Sequence, residues 1–194
     1  MAEMTPQDVR EALEDAGAVL KGHFQLTSGR HSDTYVQCAR VLEDPALTMR
    51  LARAMVDRLG PRQIDLVIAP AMGGIIIGFA VAQVLGVNFI FTERQQGTMV
   101  LRRGFKIPSQ SRVLVVEDVV TTGGSVAEVV DVVRAAGAEV VAVAALIDRG
   151  GPKVFDAELV PLLKVEVESW EPVSCSLCEA GVPLYSPGSR RLSV

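Results

Sequence analysis

The sequence predicts an α/β fold in which one parallel β-sheet is flanked by helices. Segments with the 3.6-residue periodicity of helices alternate with short apolar runs, and this alternation is typical of βαβ connections. Five apolar runs are interpreted as strands of the sheet: residues 64–69, 87–92, 113–116, 139–147 and 162–167. Several of these runs end in glycine-rich or charged segments, which predicts a site along the carboxyl ends of the strands.

Length and composition favour one domain. The chain has 194 residues, of which 49% are hydrophobic, so residues 1–194 are predicted to form a single domain around one core. The formal charge of −4, from 19 Lys and Arg against 23 Asp and Glu, gives no bulk attraction to nucleic acid or to an anionic membrane. Three cysteines are too few for a disulfide scaffold, and nothing resembles a signal peptide or a membrane span. We therefore expect a cytoplasmic protein that binds neither nucleic acid nor membrane.

The segment at residues 113–125 combines a strand, two carboxylates and a glycine-rich turn. Glu117 and Asp118 are predicted to follow the end of the strand at residues 113–116, and a helix is predicted over residues 126–136. Small residues before that helix leave backbone N–H groups and hydroxyls free: Thr121, Thr122, Gly123, Gly124 and Ser125. A helix N-terminus suits a phosphate, and carboxylates suit hydroxyls or Mg²⁺. A ligand that carries both a phosphate and a sugar diol could bind the helix N-terminus and the carboxylates together.

This order of apolar run, two acids, two apolar residues and Thr-Thr-Gly-Gly-Ser resembles the phosphoribosyl-diphosphate (PRPP) motif of type I phosphoribosyltransferases. The resemblance implies that Glu117 and Asp118 hold the ribose hydroxyls and that residues 121–125 wrap the ribose phosphate. It also implies Mg²⁺ as the cofactor, bound through PRPP, with Asp118 as a candidate ligand. The alternative is an ordinary strand–loop–helix turn in which Gly and Thr serve only geometry.

The N-terminal region is predicted to form a helix and a hairpin that stands apart from the main sheet. Thr5 and Pro6 mark the start of the helix, whose apolar positions continue through Leu20 to Gly22. Residues 22–37 then alternate apolar and polar side chains around a Ser-Gly-Arg turn, which predicts the hairpin.

The hairpin sequence Phe-x-Leu-Thr-Ser-Gly-Arg, followed by Ser-Asp-x-Tyr, resembles the N-terminal hood of orotate phosphoribosyltransferases. In that family the hood covers the base, so the resemblance implies contacts to orotate from Ser28, Gly29, Arg30 and Tyr35. It implies a hood of about residues 1–40 plus part of the C-terminal tail, and a core of about residues 41–170. Thr27 stands where many members carry a lysine. The alternative is an exposed hairpin with ordinary turn residues.

A second glycine-bearing turn follows the strand at residues 64–69. The helix predicted before this strand begins at Asp44-Pro45 and ends at Gly60-Pro61. Another helix is predicted to begin at Ile75, directly after the turn. In the family the matching turn contacts pyrophosphate, which implies that role for Ala71, Met72, Gly73 and Gly74. The alternative is a tight βα turn that needs glycine for packing alone.

The connection at residues 93–108 is long for a compact domain and is cationic, which indicates a binding loop or lid. The corresponding family loop closes over the neighbouring subunit's site, so the resemblance implies a homodimer with a lid acting in trans. The family's usual histidine is missing and the only lysine, Lys106, lies near the end. We therefore predict Arg94, Arg102 and Arg103, with Asp118, as catalytic residues, the arginines supplying charge rather than acid catalysis. The alternative is a solvated β-hairpin with ordinary surface arginines.

The strand at residues 139–147 ends in Asp148 and Arg149. In orotate phosphoribosyltransferases the matching arginine recognises the carboxylate and a ring oxygen of the base, which implies that Arg149, together with Thr121, contacts orotate. A planar bidentate donor suits a base that carries a carboxylate, and purine sites have no use for one. The alternative is a surface ion pair between Arg149 and Asp148.

Cys175 and Cys178 have the spacing of half a zinc knuckle. A closed zinc site needs four ligands, and the other candidates, His23, His31 and Cys38, are distant in sequence. Two thiols beside a helix are therefore favoured over a metal shared across a dimer.

The resemblance covers nearly the whole chain and implies an enzyme of pyrimidine biosynthesis. Its reaction transfers the phosphoribosyl group from Mg²⁺·PRPP to orotate, giving orotidine monophosphate and pyrophosphate. Two alternatives stay open: a phosphoribosyltransferase for another base, and a non-enzymatic regulator of the same fold that binds PRPP or a nucleotide. Arg149 and the hood argue against another base, whereas the missing lid lysines and histidine keep the regulator open.

Overall fold

The main sheet of the protein has the predicted parallel α/β arrangement. The structure, a computed structural model, describes residues 4–26, 28–165 and 167–186. The six strands of this sheet lie in the order β5-β4-β3-β6-β7-β8, and every neighbouring pair is parallel except β4 and β5. Their bounds are β3 Leu66–Pro70, β4 Asn88–Gln95, β5 Thr98–Leu101, β6 Arg112–Val120, β7 Glu139–Asp148 and β8 Leu159–Lys164.

Six α-helices and one 3-10 helix, Pro172–Ser174, accompany the strands within the described residues. The α-helices are α1 Pro6–Asp15, α2 Ala39–Leu42, α3 Pro45–Leu59, α4 Gly73–Leu85, α5 Gly124–Ala135 and α6 Ser176–Glu179. The predicted starts of α1 and α3 are confirmed. Thr5 and Asp8 form a reciprocal cap at α1, and the Asp44 carboxylate accepts hydrogen bonds from the N–H groups of Ala46 and Leu47 at α3. No helix among the described residues combines the length and apolar character needed to cross a membrane.

The prediction that the first helix continues to Gly22 was wrong. Helix α1 ends at Asp15, and Gly17 then adopts a positive φ of 65°, a conformation that glycine adopts without steric cost. Leu20 lies instead in a strand, opposite Tyr35. Its apolar side chain fits both a helical and an alternating pattern, so periodicity alone misplaced it.

The N-terminal hairpin forms its own two-stranded antiparallel sheet. Its strands are β1 Val19–Gln25 and β2 His31–Val36, and we call them together the hood. The C-terminal segment at residues 167–186, which we call the tail, pairs with the hood through isolated bridges that join Phe24 to Tyr185 and His31 to Trp170. Thr27, where many relatives carry a lysine, lies outside the described residues.

Strand β6 is buried on both faces because helices cover both sides of the sheet. Leu114 and Val116 contribute to a core shared with α1, α3 and α4, whereas Val113 and Val115 contribute to a second core beneath α5. This alternation explains why the strand is a continuous apolar run rather than an alternating one.

The order of the strands fixes where a ligand can bind. The chain leaves the central strand β3, adds β4 on one side and later adds β6 on the other side. The connections at the carboxyl ends of β3 and β6 therefore diverge, and such a switch point opens a crevice in a parallel sheet. The turn at residues 71–74 and the motif at residues 117–125 both begin at this crevice.

Candidate active site

The two carboxylates lie at the carboxyl end of β6. The prediction that the strand stops before them was wrong, because β6 continues to Val120 and includes both acids. The side chain of Glu117 accepts a hydrogen bond from the N–H of Asp118 at 3.1 Å, and Asp118 Oδ1 accepts one from the N–H of Val119 at 2.8 Å. Glu117 is only 7% exposed. Burial, together with the neighbouring Asp118 carboxylate, raises the pKa of Glu117 well above its usual range.

The glycines of the turn at residues 71–74 allow it to contact these carboxylates. A Cβ on Gly73 would lie 2.6 Å from Asp118 Oδ2, and a Cβ on Gly74 would lie 3.1 Å from Glu117 Oε1. Ala71 is held by a hydrogen bond from its N–H to the carbonyl of Thr92, at 2.8 Å, and Met72 is exposed at the start of α4. The structure therefore brings the turn predicted to bind pyrophosphate against the acids predicted to bind ribose.

The turn after β6 ends in an open helix N-terminus. Gly123 adopts a φ of 82°, and a Cβ there would lie 2.3 Å from the ring of Phe155. Thr121, Thr122 and Gly124 are exposed, and a Cβ on Gly124 would have no protein atom within 4 Å. The first hydrogen bond of α5 runs from the N–H of Ala127 to the carbonyl of Gly123, so the preceding N–H groups have no partner within the helix. These groups, including that of Ser125, are therefore available to donate hydrogen bonds to an anion.

Arg149 and Tyr35 share the space beside the acids. Burial raises the pKa of Tyr35, while the charge of Arg149 lowers it and the charge of Asp118 raises it, so Tyr35 lies within electrostatic range of both side chains. Burial also lowers the pKa of Arg149. Asp148 pairs with Lys153 at 2.7 Å, and Arg149 Nε is buried without a hydrogen-bond partner among the described residues. The alternative of an Arg149–Asp148 ion pair is therefore excluded.

Cys38 and Phe155 are parts of this site that the sequence did not reveal. The thiol of Cys38 lies 3.9 Å from the carbonyl oxygen of Asp118, and burial followed by the charges of Asp118 and Glu117 raises its pKa. Phe155 closes over Gly123. Both residues come from segments without a motif, and only the fold brings them here.

The turn of the hood makes contacts that the sequence did not predict. The Arg30 guanidinium donates to Ser169 Oγ at 2.9 Å and pairs with Glu171, both in the tail. The N–H of Gly29 donates to the carbonyl of Leu26, and the backbone N–H of Arg30 approaches Ser28 Oγ at 3.5 Å. This turn lies at the end of the hairpin where Gln25 pairs with His31, whereas Tyr35 lies at the other end. Tyr35 is therefore separated from this turn by the length of the hairpin, and the Arg30 side chain binds the tail.

The cationic segment at residues 93–108 is not a free loop over its whole length. Residues up to Gln95 extend β4, and β5 pairs with them as a hairpin, which is the alternative that the sequence left open. Arg94 pairs with Glu128 of α5 at 2.6 Å, and Arg103 pairs with Glu93 at 2.8 Å. Arg102 and Lys106 are exposed. In this conformation two of the three predicted catalytic arginines are bound to acids of the same chain.

Comparisons with known proteins place the chain in a family. A profile of the phosphoribosyl transferase domain matches residues 38–175. Orotate phosphoribosyltransferases from Desulforamulus reducens and Heliobacterium modesticaldum are 46% and 51% identical over 191 and 190 residues, covering 98% and 96% of this chain and 100% of each relative.

Solved structures agree with this placement. Orotate phosphoribosyltransferase from Aeropyrum pernix gives a TM-score of 0.73 at 28% identity, over 81% of this chain and 94% of that one. Adenine phosphoribosyltransferase from Thermoanaerobacter pseudethanolicus gives 0.67 at 18% identity, over 83% and 100%, and at that identity shares the fold alone. The chain therefore belongs to the phosphoribosyltransferase family and, within it, to the orotate phosphoribosyltransferases.

Proposed function

We propose that this enzyme transfers the phosphoribosyl group of PRPP to orotate, releasing pyrophosphate and orotidine monophosphate, in pyrimidine biosynthesis. The observation that carries the proposal is Arg149, a half-buried side chain whose buried Nε has no hydrogen-bond partner among the described residues and which lies within electrostatic range of Tyr35. A buried N–H group without a partner is costly, and an incoming carboxylate that accepts from the guanidinium removes that cost. Orotate carries such a carboxylate.

PRPP would occupy the crevice at the carboxyl ends of β3 and β6. Its 5′-phosphate would bind the N–H groups and hydroxyls of residues 121–125, and its ribose hydroxyls would donate to Glu117 and Asp118. The pyrophosphate would lie along residues 71–74. Support comes from the contact between the two segments, since the space that a Cβ on Gly73 would fill lies directly beside Asp118 Oδ2.

Orotate would lie between the hood and the sheet. We propose that the Arg149 guanidinium binds its carboxylate and a ring oxygen, that Thr121 borders the base, and that Tyr35 packs on it. For the turn at Ser28, Gly29 and Arg30 we propose backbone contacts, because the Arg30 side chain binds Ser169 and Glu171.

The donor set near Asp118 fits Mg²⁺. Oδ1 of Asp118 accepts from the N–H of Val119, and no Cβ from Gly73 fills the space beside Oδ2. Mg²⁺ prefers one or two carboxylate oxygens together with phosphate oxygens, and Asp118 Oδ2 with the oxygens of PRPP would supply that set. When bound, Mg²⁺ would neutralise charge on the pyrophosphate that departs.

The protein's own part in the reaction is position and exclusion of water. The orotate nitrogen displaces pyrophosphate at the anomeric carbon through a cationic, sugar-like transition state. Holding the base and the pyrophosphate group on opposite faces of that carbon lowers the entropic cost of the displacement, and a closed lid keeps water from the sugar cation. Arg94, Arg102 and Arg103 would add positive charge near the pyrophosphate after the lid has left its present ion pairs.

The enzyme is further proposed to be a cytoplasmic homodimer whose lid reaches the neighbouring site. Helix α4 exposes an apolar surface in which Ile76 is 51% and Phe79 is 59% exposed, next to the exposed Met72. Apolar surface of this kind marks interaction sites. It begins at the pyrophosphate turn, so a partner bound there would lie close to the crevice.

A steady-state assay with Mg²⁺ and PRPP tests the function directly. Orotate is expected to turn over, while adenine, hypoxanthine and uracil do not, because none of the three carries a carboxylate for Arg149. Turnover of a purine in place of orotate would favour the enzyme for another base. Binding of PRPP without turnover of any base would favour the regulator.

A further inference from the structure

The two cysteines of the tail do not stand alone. Cys175 and Cys178 meet His23 and His31 of the hood, and the four candidate ligand atoms all lie within 4.8 Å of one another. The sequence-based preference for isolated thiols overlooked this, since the histidines lie about 150 positions away along the chain. From this cluster we propose that the protein binds one structural Zn²⁺ ion through His23, His31, Cys175 and Cys178.

The distances between the four side chains match a tetrahedral zinc site. Bond lengths of zinc to sulfur and nitrogen require about 3.4 Å between two nitrogens and about 3.5 Å between a nitrogen and a sulfur. Nε2 of His23 lies 3.1 Å from Nδ1 of His31, 3.4 Å from Sγ of Cys175 and 3.7 Å from Sγ of Cys178. Nδ1 of His31 lies 3.3 Å from Sγ of Cys178. The two remaining pairs of ligand atoms also lie within 4.8 Å, so small shifts of the side chains place all four atoms around one ion.

A hydrogen bond fixes the tautomer of His23 that a metal needs. Nδ1 of His23 lies 2.8 Å from the carbonyl oxygen of Val182, and a carbonyl oxygen can only accept. Nδ1 therefore carries the proton, and the lone pair on Nε2 points into the cluster. A backbone carbonyl on the far nitrogen is the usual support of a zinc-bound histidine.

Charge and burial also favour zinc. His23, His31 and Cys175 are buried, and Cys178 lies at the exposed edge. Two thiolates with a doubly charged cation give a neutral group, which can be buried without an unpaired charge. Two nitrogen and two sulfur ligands select zinc among common divalent cations, and four protein ligands close the site to substrate.

Backbone hydrogen bonds between the hood and the tail bring these ligands together. His31 and Trp170 exchange hydrogen bonds of 2.9 and 2.8 Å, and the N–H of Tyr185 donates to the carbonyl of His23 at 2.8 Å. His31 lies opposite Gln25, two residues from His23, so the two imidazoles share one face of the hairpin. A two-stranded sheet is only marginally stable by itself, and an ion that ties it to the tail supplies the missing stability.

Three of the four ligands lie outside the matched phosphoribosyl transferase domain, which covers residues 38–175. The zinc site therefore belongs to the hood and tail rather than to the shared core. The inference does not depend on the substrate of the enzyme, and its test measures metal rather than turnover.

Metal analysis of protein produced in zinc-supplemented medium tests the inference. The wild type is expected to contain about one zinc ion per chain. The zinc content of Cys178→Ser and of His23→Ala is expected to be lower by about tenfold or more. Cys38→Ala removes the third cysteine, which lies against Asp118 outside the cluster, and is expected to retain the full zinc content. Circular dichroism of each variant confirms that its fold persists.

Cobalt substitution and hydrogen exchange provide independent measurements. Stripped wild type is expected to bind Co²⁺ with the strong visible bands of tetrahedral coordination and a sulfur-to-cobalt charge-transfer band. Removing the metal is expected to abolish protection of the backbone N–H groups of His31 and Tyr185 while those of β6 stay protected. A wild type that contains no zinc and gives no tetrahedral Co²⁺ spectrum would overturn the proposal. Zinc retained in both Cys178→Ser and His23→Ala, or a Cys175–Cys178 disulfide in the native enzyme, would also overturn it.

Discussion

At the scale of single residues, the proposed role of Glu117 in binding ribose comes with a cost in stability. It is buried beside a second carboxylate, and its pKa is raised for that reason. An unfolded chain releases this proton at about pH 4.3, whereas the folded protein retains it to higher pH. The free energy of unfolding therefore falls as pH rises from that value through the raised pKa of Glu117, and above that pKa the loss is complete.

Glu117→Gln is expected to remove this loss of stability and to weaken PRPP binding. The gain in free energy of unfolding over the wild type should grow with pH, because glutamine has no proton to lose. Urea unfolding at a series of pH values measures it. Glu93→Gln is the matched control with the opposite sign, since the Arg103 hydrogen bond lowers the pKa of Glu93. A constant difference between Glu117→Gln and the wild type at all pH values would contradict the assignment.

Arg149 offers a test in which stability and affinity move in opposite directions. Arg149→Met removes a half-buried guanidinium whose buried Nε lacks a partner among the described residues, so the free energy of unfolding should not fall. Loss of charged hydrogen bonds to the base should lower kcat/KM for orotate by about 10- to 100-fold, with little change in KM for PRPP.

Two further variants serve as comparisons for Arg149→Met: Arg149→Lys keeps the positive charge, and Arg134→Ala removes an exposed arginine elsewhere. Lysine should not restore orotate use, because it lacks the planar bidentate fork. Arg134 forms an exposed pair with Asp156 at the end of α5, and its loss should leave the orotate KM unchanged. Equal effects of Arg149→Met on the KM of orotate and PRPP would contradict the role of Arg149 in base recognition.

At the scale of elements, two adjacent glycines at the start of α5 do different work. Gly123→Ala places a Cβ against Phe155 at a positive φ and should lower the free energy of unfolding by about 1–3 kcal/mol. Gly124→Ala meets no protein atom and should raise it by up to about 1 kcal/mol. If the phosphate approaches the backbone there, the same methyl group should raise the KM for PRPP. Urea unfolding and PRPP kinetics separate these effects, and an unchanged PRPP KM in Gly124→Ala would place the phosphate elsewhere.

Elements whose determinants are local could be predicted from the sequence, and those set by distant contacts could not. The starts of α1 and α3 depend on neighbouring residues, so the capping residues Thr5 and Asp44 predicted them. The strand, acidic pair and glycine-rich turn of the PRPP motif are likewise encoded in consecutive residues. The end of α1 was missed because Leu20 fits two periodicities. The sequence could not decide between a lid and a hairpin at residues 93–101, because the hairpin is held by contacts of Arg94 and Met99 with Glu128 on helix α5. The partners of Cys175 were missed because the register of the hood brings them there.

At the scale of the whole molecule, the proposed homodimer can be tested by placing a lid substitution in one subunit and a crevice substitution in the other. If the lid acts in trans, an Arg102→Ala/Arg103→Ala double variant mixed with Asp118→Asn should regain activity, since a hybrid dimer contains one intact site. Free exchange of two inactive parents should restore about a quarter of the wild-type sites. Mass spectrometry of the mixture verifies that hybrids form, and inactive hybrids would show that lid and crevice act within one subunit.

The pairing of the hood with the tail sets an order of events during synthesis. His23 and Val182 are 159 positions apart, so the hairpin is synthesised well before its partner in the tail. The strands of the main sheet lie between them and need neither for their own pairing. The strands that border the proposed crevice for PRPP are therefore synthesised before the tail that completes the proposed cover of the base. Premature termination before Cys175 is expected to leave every strand of the main sheet but remove most of the tail that pairs with the hood.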